Sequence, residues 1–257
     1  MSSSTLPRPN YEFKPFRYSS HYWILKLFES EKESLKILDV GTASGYLGKT
    51  LRKRGHSVTG IEMDPDTAEK ARGFYDVFHL ADLETFEFPC RAEFDYILFA
   101  DVLEHLRDPA AVLRRCIPAL KESGKIVISV PNVANIIIRI SLLLGRFDYM
   151  DRGILDRTHL RYFTLRSLKQ MMKDVLCGVL DVTPTLLPMQ IVFPFTERKL
   201  FAPVHEILYA LTRCWKTLFA YQFVIVATPL RTGVFSPSED EIRSDRAGGA
   251  PSLHFFS

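Results

Sequence analysis

Short apolar segments alternate with segments of helical periodicity along most of the chain, and this alternation limits the possible folds more than any other feature. It is typical of repeated strand–helix units and predicts a doubly wound α/β fold, a mostly parallel sheet with helices on both faces. The sequence predicts seven strands, at residues 36–40, 57–61, 76–80, 94–100, 125–130, 178–183 and 221–228. It predicts helices at about 45–54, 66–72, 109–120, 165–175 and 203–219.

One large domain accommodates these elements, because a chain of 257 residues can bury most of its apolar surface in a single α/β unit. We predict that this domain covers residues 36–229. An N-terminal cap segment (1–35) precedes it, and a polar tail (230–257) follows whose composition favours disorder. Residues 132–163 are too many for an ordinary connection and predict a functional insertion after the fifth strand.

Charge and cysteine spacing narrow the classes of partner. The 33 basic and 30 acidic residues give a net charge of +3 without a long basic run, so no nucleic-acid partner is expected. Cys90, Cys116, Cys177 and Cys214 lie far apart, which predicts neither a disulfide framework nor a zinc site, and no metal site is expected elsewhere. The first residues show no apolar core behind a basic end, so a cytoplasmic protein without a secretory signal is expected.

A turn of small residues lies between the predicted first strand and first helix, within residues 37–50 (ILDVGTASGYLGKT). Ligands bind at such turns in open α/β sheets. Gly41, Ala43 and Gly45 are expected to leave room for a ligand to touch the backbone. Glu62 ends the second strand 21 positions after Gly41, close to the roughly 20-residue offset of an acid that binds ribose hydroxyls. A ligand with a nucleoside part is therefore expected here.

The same turn permits a second interpretation. Residues 43–50 (ASGYLGKT) match a relaxed phosphate-binding loop with alanine in place of the first glycine, and residues 97–101 (ILFAD) would supply a magnesium-binding strand. A P-loop NTPase is therefore a competing hypothesis. It leaves Asp39, Glu62 and Asp82 without a role, which favours the first interpretation.

Five segments resemble, in their order and spacing, class I S-adenosylmethionine-dependent methyltransferases: ILDVGTASGYLG, GIEMDPDTAEKA, HLADLETFEF, FDYILFADVLEHLRDP and LKESGKIVISVPN. The similarity covers residues 36–172. The later segment SVPNVANIIIRISLLLGRFDYMDRGILDRTHLRYFT resembles a subgroup that includes MetW-type proteins and methyltransferases found with surface-polysaccharide genes. The resemblance implies a Rossmann-like sheet of seven strands whose last strand is antiparallel beside the fifth.

The resemblance also implies S-adenosylmethionine as the cofactor and assigns its contacts. Asp39, Gly41, Ala43 and Gly45 would surround the methionine part, and Glu62 would bind the ribose. Ala43 departs from the glycine that is usual at its position in this family, which puts cofactor affinity in question more than function.

The adenine contacts follow from the same resemblance. Met63 and Leu83 would lie beside the ring, and Asp82 would accept a hydrogen bond from its amine. The MetW-type resemblance also leaves open a partner protein that binds the cofactor and regulates another enzyme without turnover.

Two histidines are the candidate catalytic residues. Methyl transfer from a sulfonium requires an aligned acceptor that loses its proton, and histidine is the natural base near neutral pH. His105 follows the fourth strand and His159 lies in the insertion. We expect the acceptor to be a hydroxyl on a sugar, a glycan or a lipid-linked small molecule. The sequence does not choose between the two histidines, and a packed imidazole is the alternative for His105.

The insertion supplies four candidate acceptor-binding residues, Arg146, Asp156, Arg157 and Arg161. Arginine suits a phosphate or carboxylate on the acceptor. A solvated loop with salt bridges is the alternative interpretation.

Several apolar or aromatic segments have two interpretations. The stripe at residues 200–218 is expected to pack on the sheet, or to form with 136–144 a surface for a lipid-linked acceptor, a peripheral membrane contact or a homodimer. The 136–144 segment is far shorter than the roughly 20 residues that cross a bilayer. Tyr18 and His21, ahead of the first strand, either cover the cofactor or pack.

Overall fold

The computed structural model describes residues 16–89, 91–187 and 202–230. A single sheet of seven strands forms its centre, in the order β3-β2-β1-β4-β5-β7-β6. The strands are β1 (Lys36–Val40), β2 (Ser57–Glu62), β3 (Val77–Leu80), β4 (Phe94–Ala100), β5 (Leu120–Pro131), β6 (Cys177–Pro184) and β7 (Gln222–Pro229). All seven predicted strands are thus confirmed, although β5 begins earlier than expected.

Eight α-helices lie within the described residues: α1 (Ser20–Leu27), α2 (Tyr46–Lys53), α3 (Pro65–Arg72), α4 (Pro109–Cys116), α5 (Ile136–Leu143), α6 (Leu165–Asp174), α7 (Ala202–Cys214) and α8 (Lys216–Phe219). Short 3-10 helices cover Leu103–His105 and Ile117–Ala119. The predicted start of α4 is confirmed, since the Asp108 carboxylate accepts a hydrogen bond from the amide of Ala111 at 2.9 Å and Pro109 follows it.

The strand directions place the candidate site. β1 pairs in parallel with both β2 and β4, so the chain changes its direction of progress across the sheet at β1. β7 lies between β5 and β6 and is antiparallel to both, which confirms the implied place of the last strand. The carboxyl ends of β1, β2, β3 and β4 therefore share one edge, and ligands of open α/β sheets bind at such an edge, at the switch in strand order.

Alternation along the strands gives the sheet two buried faces. In β1, Ile37 packs with α1 and α2 on one face, and Leu38 points to the opposite face, which carries α4 and α6. The same alternation holds in β4, where Ile97 and Leu98 belong to opposite faces. This period of two, with both faces buried, explains why the central strands β1 and β4 are mostly apolar and why helices lie on both sides, as predicted.

Several element boundaries differ from those predicted. The helix expected at 109–120 ends at Cys116, because Pro118 lacks the amide hydrogen that another helical turn requires. The helix expected at 203–219 is divided at Trp215 into α7 and α8. Neither α1 nor α5 was predicted as a helix. Residues 1–15 of the predicted cap segment and the predicted tail from residue 231 lie outside the described residues.

The apolar stripe near the carboxyl end is largely exposed, so its predicted burial against the sheet is wrong for its central residues. Val204, Ile207, Leu211 and Trp215 are each about half exposed or more. Leu200, at the start of the stripe, lies outside the described residues. No helix in the described part of the chain is both long and apolar enough to span a membrane.

Candidate active site

The loop after β1 turns through three residues with left-handed backbone conformations. Gly41, Ala43 and Gly45 have φ angles of 70°, 45° and 79°. A Cβ atom on Gly41 would lie 2.7 Å from a Val102 methyl group, and one on Gly45 would lie 2.9 Å from the Phe74 ring. Both glycines are therefore required by conformation and by protein packing, and their contact with a ligand stays a prediction.

Glu62 holds this loop from the end of β2. Its Oε2 atom accepts a hydrogen bond from the amide of Ala43 at 3.0 Å, and its Oε1 atom accepts from the amides of Met63 and Asp64 at 2.9 and 3.0 Å. A carboxylate offers about four lone-pair positions, so with three of them used by amides it can still accept a hydrogen bond from a ribose hydroxyl. The Glu62 carboxylate, which is predicted to bind the ribose, is thus held in position without a bound cofactor.

Asp39 lies beneath the loop, buried in β1. Its Oδ2 atom accepts a hydrogen bond from the Tyr75 hydroxyl at 2.7 Å. Burial raises the pKa of Asp39 to about 6, the Tyr75 hydrogen bond opposes this rise, and the charge of Glu62 adds to it. Tyr75 was not among the predicted site residues, and its ring lies where a Cβ atom on Gly48 would be. Asp39 is therefore a buried partner of Tyr75, and its contact with the methionine part of the cofactor stays a prediction.

The residues predicted to surround adenine lie at the ends of β2 and β3. Met63 is 57% exposed, whereas Leu83 is buried. Asp82 is exposed, and its Oδ1 atom accepts a hydrogen bond from the amide of Glu84 at 2.9 Å. A fixed carboxylate for the ribose, apolar surface for a base and a second carboxylate for an amine fit S-adenosylmethionine chemically.

A strained residue follows β4, next to the loop. Asp101 has a φ of 58°, which is uncommon outside glycine and often marks functional sites. Its Oδ1 atom accepts a hydrogen bond from the Gln222 amide at 2.9 Å. Gln222 was missed, although a polar residue in the apolar strand β7 is a visible signal, and it is buried.

The insertion lies against the segment that follows β4. The Glu104 carbonyl accepts hydrogen bonds from the amides of Leu160 and Arg161 at 2.8 and 3.0 Å. The Arg161 side chain donates in turn to the carbonyl of Arg107, with Nε at 3.0 Å. These contacts bring the two candidate histidines together, because His105 follows Glu104 and His159 precedes Leu160.

The rings of His105 and His159 are in edge contact, with centroids 4.9 Å apart and planes at 71°. Burial lowers the pKa of both imidazoles, and the neighbouring His105 lowers that of His159 further. Both rings are therefore neutral near pH 7, the form in which an imidazole can accept a proton or bind a metal ion. The choice between them as base stays open.

The remaining predicted acceptor residues differ in their partners. Asp156 is buried, and its Oδ1 atom accepts hydrogen bonds from the Thr158 amide and hydroxyl at 2.8 and 2.7 Å. Arg157 forms an exposed ion pair with Asp151 at 2.8 Å, as the solvated-loop interpretation expects. Arg146 is exposed. An acceptor-binding role for these residues stays a prediction.

Of the two interpretations given for the residues ahead of β1, packing describes Tyr18. Tyr18 is buried and stacked on Tyr209, with ring centroids 4.2 Å apart. Burial, with a hydrogen bond to Glu206, raises the pKa of Tyr18 to about 12. His21 is partly exposed on α1.

Solved structures share this fold. An S-adenosylmethionine-dependent methyltransferase from Mesorhizobium loti matches with a TM-score of 0.54 at 16% identity, covering 81% of this chain and 97% of that one. Another from Thermotoga maritima matches with a TM-score of 0.56 at 18% identity, covering 83% and 89%. The chain therefore has the fold of S-adenosylmethionine-dependent methyltransferases.

The sequence comparisons identify the family. A family model described as a methyltransferase domain matches residues 17–175, so the chain belongs to this family. The ubiquinone biosynthesis O-methyltransferase of Idiomarina loihiensis is 32% identical over 133 residues, which are 48% of this chain and 54% of that protein. The chain thus spans about half the length of the curated relatives that it matches.

Family membership excludes the P-loop NTPase hypothesis. Lys49, the lysine of the supposed phosphate-binding loop, is exposed on α2, and its Nζ atom lies 4.8 Å from the centroid of the Phe74 ring. S-adenosylmethionine is the cofactor that the family and the fold imply, and the residues at the sheet edge fit it.

Proposed function

We propose that the chain transfers a methyl group from S-adenosylmethionine to a hydroxyl oxygen of an acceptor that carries an apolar chain. The observation that supports this most is the contact of His105 with His159 at the sheet edge beside the cofactor loop. The loop residue Gly41 packs against Val102, three positions before His105.

The chemistry divides between cofactor and protein. When bound, S-adenosylmethionine supplies a methyl group on a sulfonium, which is a good leaving group. The protein must then align the hydroxyl, exclude water and remove a proton. The two rings, neutral near pH 7, are where we place the loss of this proton. Relatives named as O-methyltransferases support an oxygen acceptor.

Exposed apolar side chains next to the histidines support an acceptor with an apolar chain. Ile137, Ile140, Leu143 and Leu144, on and just after α5, are between 48% and 86% exposed. On its inner side α5 packs through Ile138 against Ile154 and Leu155, in the same segment as His159. Exposed apolar surface of this kind marks binding sites for apolar partners.

The test is a panel of acceptors assayed with radiolabelled S-adenosylmethionine. It contains a polyprenylated catechol, a polyprenyl-linked sugar and the same two head groups without the chain. We expect labelled product from a chain-bearing acceptor at a kcat/KM at least about tenfold that of its head group, because two buried methylene groups at ~0.8 kcal/mol each already give roughly this factor. Equal use of both forms, or transfer only to an amine, would contradict the proposal.

A pair of exposed leucines provides a matched control. Leu143→Ser is expected to slow transfer to the chain-bearing acceptor only, whereas Leu180→Ser, on β6, is expected to change neither rate. Cofactor binding without transfer to any member of the panel would favour the regulatory partner protein instead. Cytoplasmic location, peripheral membrane contact and a homodimer stay predictions.

A further inference from the structure

Glu104, His105 and His159 also meet the geometric requirement of a metal centre. One ligand atom from each side chain lies within 4.8 Å of the other two. The centre of a triangle of this size is roughly 2.8 Å from each corner, and zinc binds nitrogen and oxygen at about 2.0–2.2 Å. Small side-chain rotations therefore suffice to place all three atoms on one ion.

The hydrogen bonds of both rings select the tautomer that a metal ligand needs. His105 Nδ1 lies 3.3 Å from both the carbonyl and the hydroxyl oxygen of Thr158, and that hydroxyl donates to Asp156. His159 Nδ1 lies 3.1 Å from the carbonyl of Ile154. Because a carbonyl only accepts, Nδ1 is the donor in each ring and Nε2 carries the lone pair. Metal-binding histidines in proteins are oriented by hydrogen bonds of this kind.

The fold itself supports this orientation. Asp156 is buried and binds both the amide and the hydroxyl of Thr158, and Thr158 in turn binds the His105 ring. The backbone bonds from Leu160 and Arg161 to the Glu104 carbonyl fix the spacing between the two segments that carry the ligands. Hydrogen bonds therefore hold the two segments that carry the three side chains in a fixed relative position.

We propose that Glu104, His105 and His159 bind a divalent transition-metal ion. Two imidazoles and one carboxylate suit Zn²⁺, Mn²⁺, Fe²⁺ or Co²⁺, whereas Mg²⁺ and Ca²⁺ prefer oxygen ligands. Three protein ligands leave a coordination position open, as catalytic metal sites do. This replaces the expectation, drawn from the cysteine spacing, that the chain has no metal site.

The catalytic role of the ion rests on the proposed function, whereas the binding of the ion is independent of it. A metal ion lowers the pKa of a bound hydroxyl. The hydroxyl proton then leaves to water, and the oxygen forms its bond to the methyl carbon as the bond from that carbon to sulfur breaks. With an ion bound, His105 and His159 serve as ligands, and the ion takes over from the rings the task of promoting the loss of the hydroxyl proton.

The experiment is a Co²⁺ titration of the chelator-treated full chain, followed by the visible absorption of the bound ion. We expect one Co²⁺ per chain. His159→Ala is expected to weaken binding by more than about 100-fold, and Asp156→Asn, which weakens the support of His105 without removing a ligand, by roughly 10–100-fold. His79→Ala, on β3 and outside the cluster, is the control and is expected to bind as the parent does.

Thermal unfolding and affinity for S-adenosylhomocysteine are recorded for each variant to show that it is folded, and Glu104→Gln replaces any histidine variant that is not. Absence of stoichiometric Co²⁺ binding by the parent, or unchanged binding by the ligand variants, would overturn the proposal. Specific binding without methylation of any acceptor supports the metal site and counts against the proposed function. Full transfer after chelation supports the proposed function and overturns the role of the metal.

Discussion

Glu62→Ala tests the cofactor site most directly. The substitution removes the carboxylate assigned to the ribose, and hydrogen bonds to a charged group contribute about 1.5–3 kcal/mol, which corresponds to roughly 10- to 150-fold in Kd. It also removes the acceptor of the Ala43 amide. We therefore expect a loss of about 1 kcal/mol in the free energy of unfolding, in addition to the loss of affinity. Glu62→Gln is a poorer test, because both carboxylate oxygens accept from backbone amides. The side-chain NH2 group of glutamine would therefore place one donor against another.

Calorimetry with S-adenosylhomocysteine measures the affinity, and urea unfolding without ligand measures the stability. Lys49→Ala is the matched control: it removes a charge from the same loop–helix segment at an exposed position, so its Kd is expected to stay within about twofold of the parent. Parental affinity in Glu62→Ala, or equal losses in both variants, would refute the assignment of Glu62 to the ribose.

Three further predictions concern the loop, the buried carboxylate and the histidines. Ala43→Gly is expected to raise the free energy of unfolding by up to about 1 kcal/mol, because relief of a left-handed alanine exceeds the entropy cost of glycine; a clear loss on urea unfolding would contradict this. The folded-state pKa of Asp39 is raised to about 6, so the parent loses stability as pH rises from about 4 to 6, and Asp39→Asn should gain roughly 1–3 kcal/mol relative to the parent over that interval. A pH-independent difference between the two unfolding curves would exclude this. His105→Gln and His159→Gln, made separately, should lower turnover with unchanged cofactor affinity in at least one case, and full activity in both would remove the histidines from the mechanism.

The central strands were predictable because burial on both faces leaves few alternatives to a short apolar strand. The cofactor loop was predictable for a similar reason, since a small-residue turn followed by an acid at a fixed offset restricts the backbone strongly. The helix α1 was missed because its aromatic residues suggested packing only, although Ser19 caps it with a hydrogen bond of 3.0 Å from Tyr22. Likewise, Pro118 was available as the signal that α4 ends early.

The contact between the two histidines could be suspected from the sequence, but only the fold establishes it. What joins the two segments is the carbonyl of Glu104, which accepts from the amides of Leu160 and Arg161. Backbone groups are the same in every residue, so such a junction has no sequence pattern. The ligand cluster escaped detection for the same reason, because Glu104 and His105 are adjacent but His159 joins them only through the fold.

The position of β7 inside the sheet has a consequence for synthesis on the ribosome. The strands β1 to β5 leave the exit tunnel in an order that lets each pair with a neighbour already present, but β6 emerges before the strand that connects it to the sheet. Until Gln222–Pro229 has emerged, β5 presents an open apolar edge and Asp101 lacks the side chain of Gln222. In the nascent chain β6 and α6 therefore remain unpaired with the sheet until β7 emerges. During this time the edge of β5 is exposed, and other chains can pair with it.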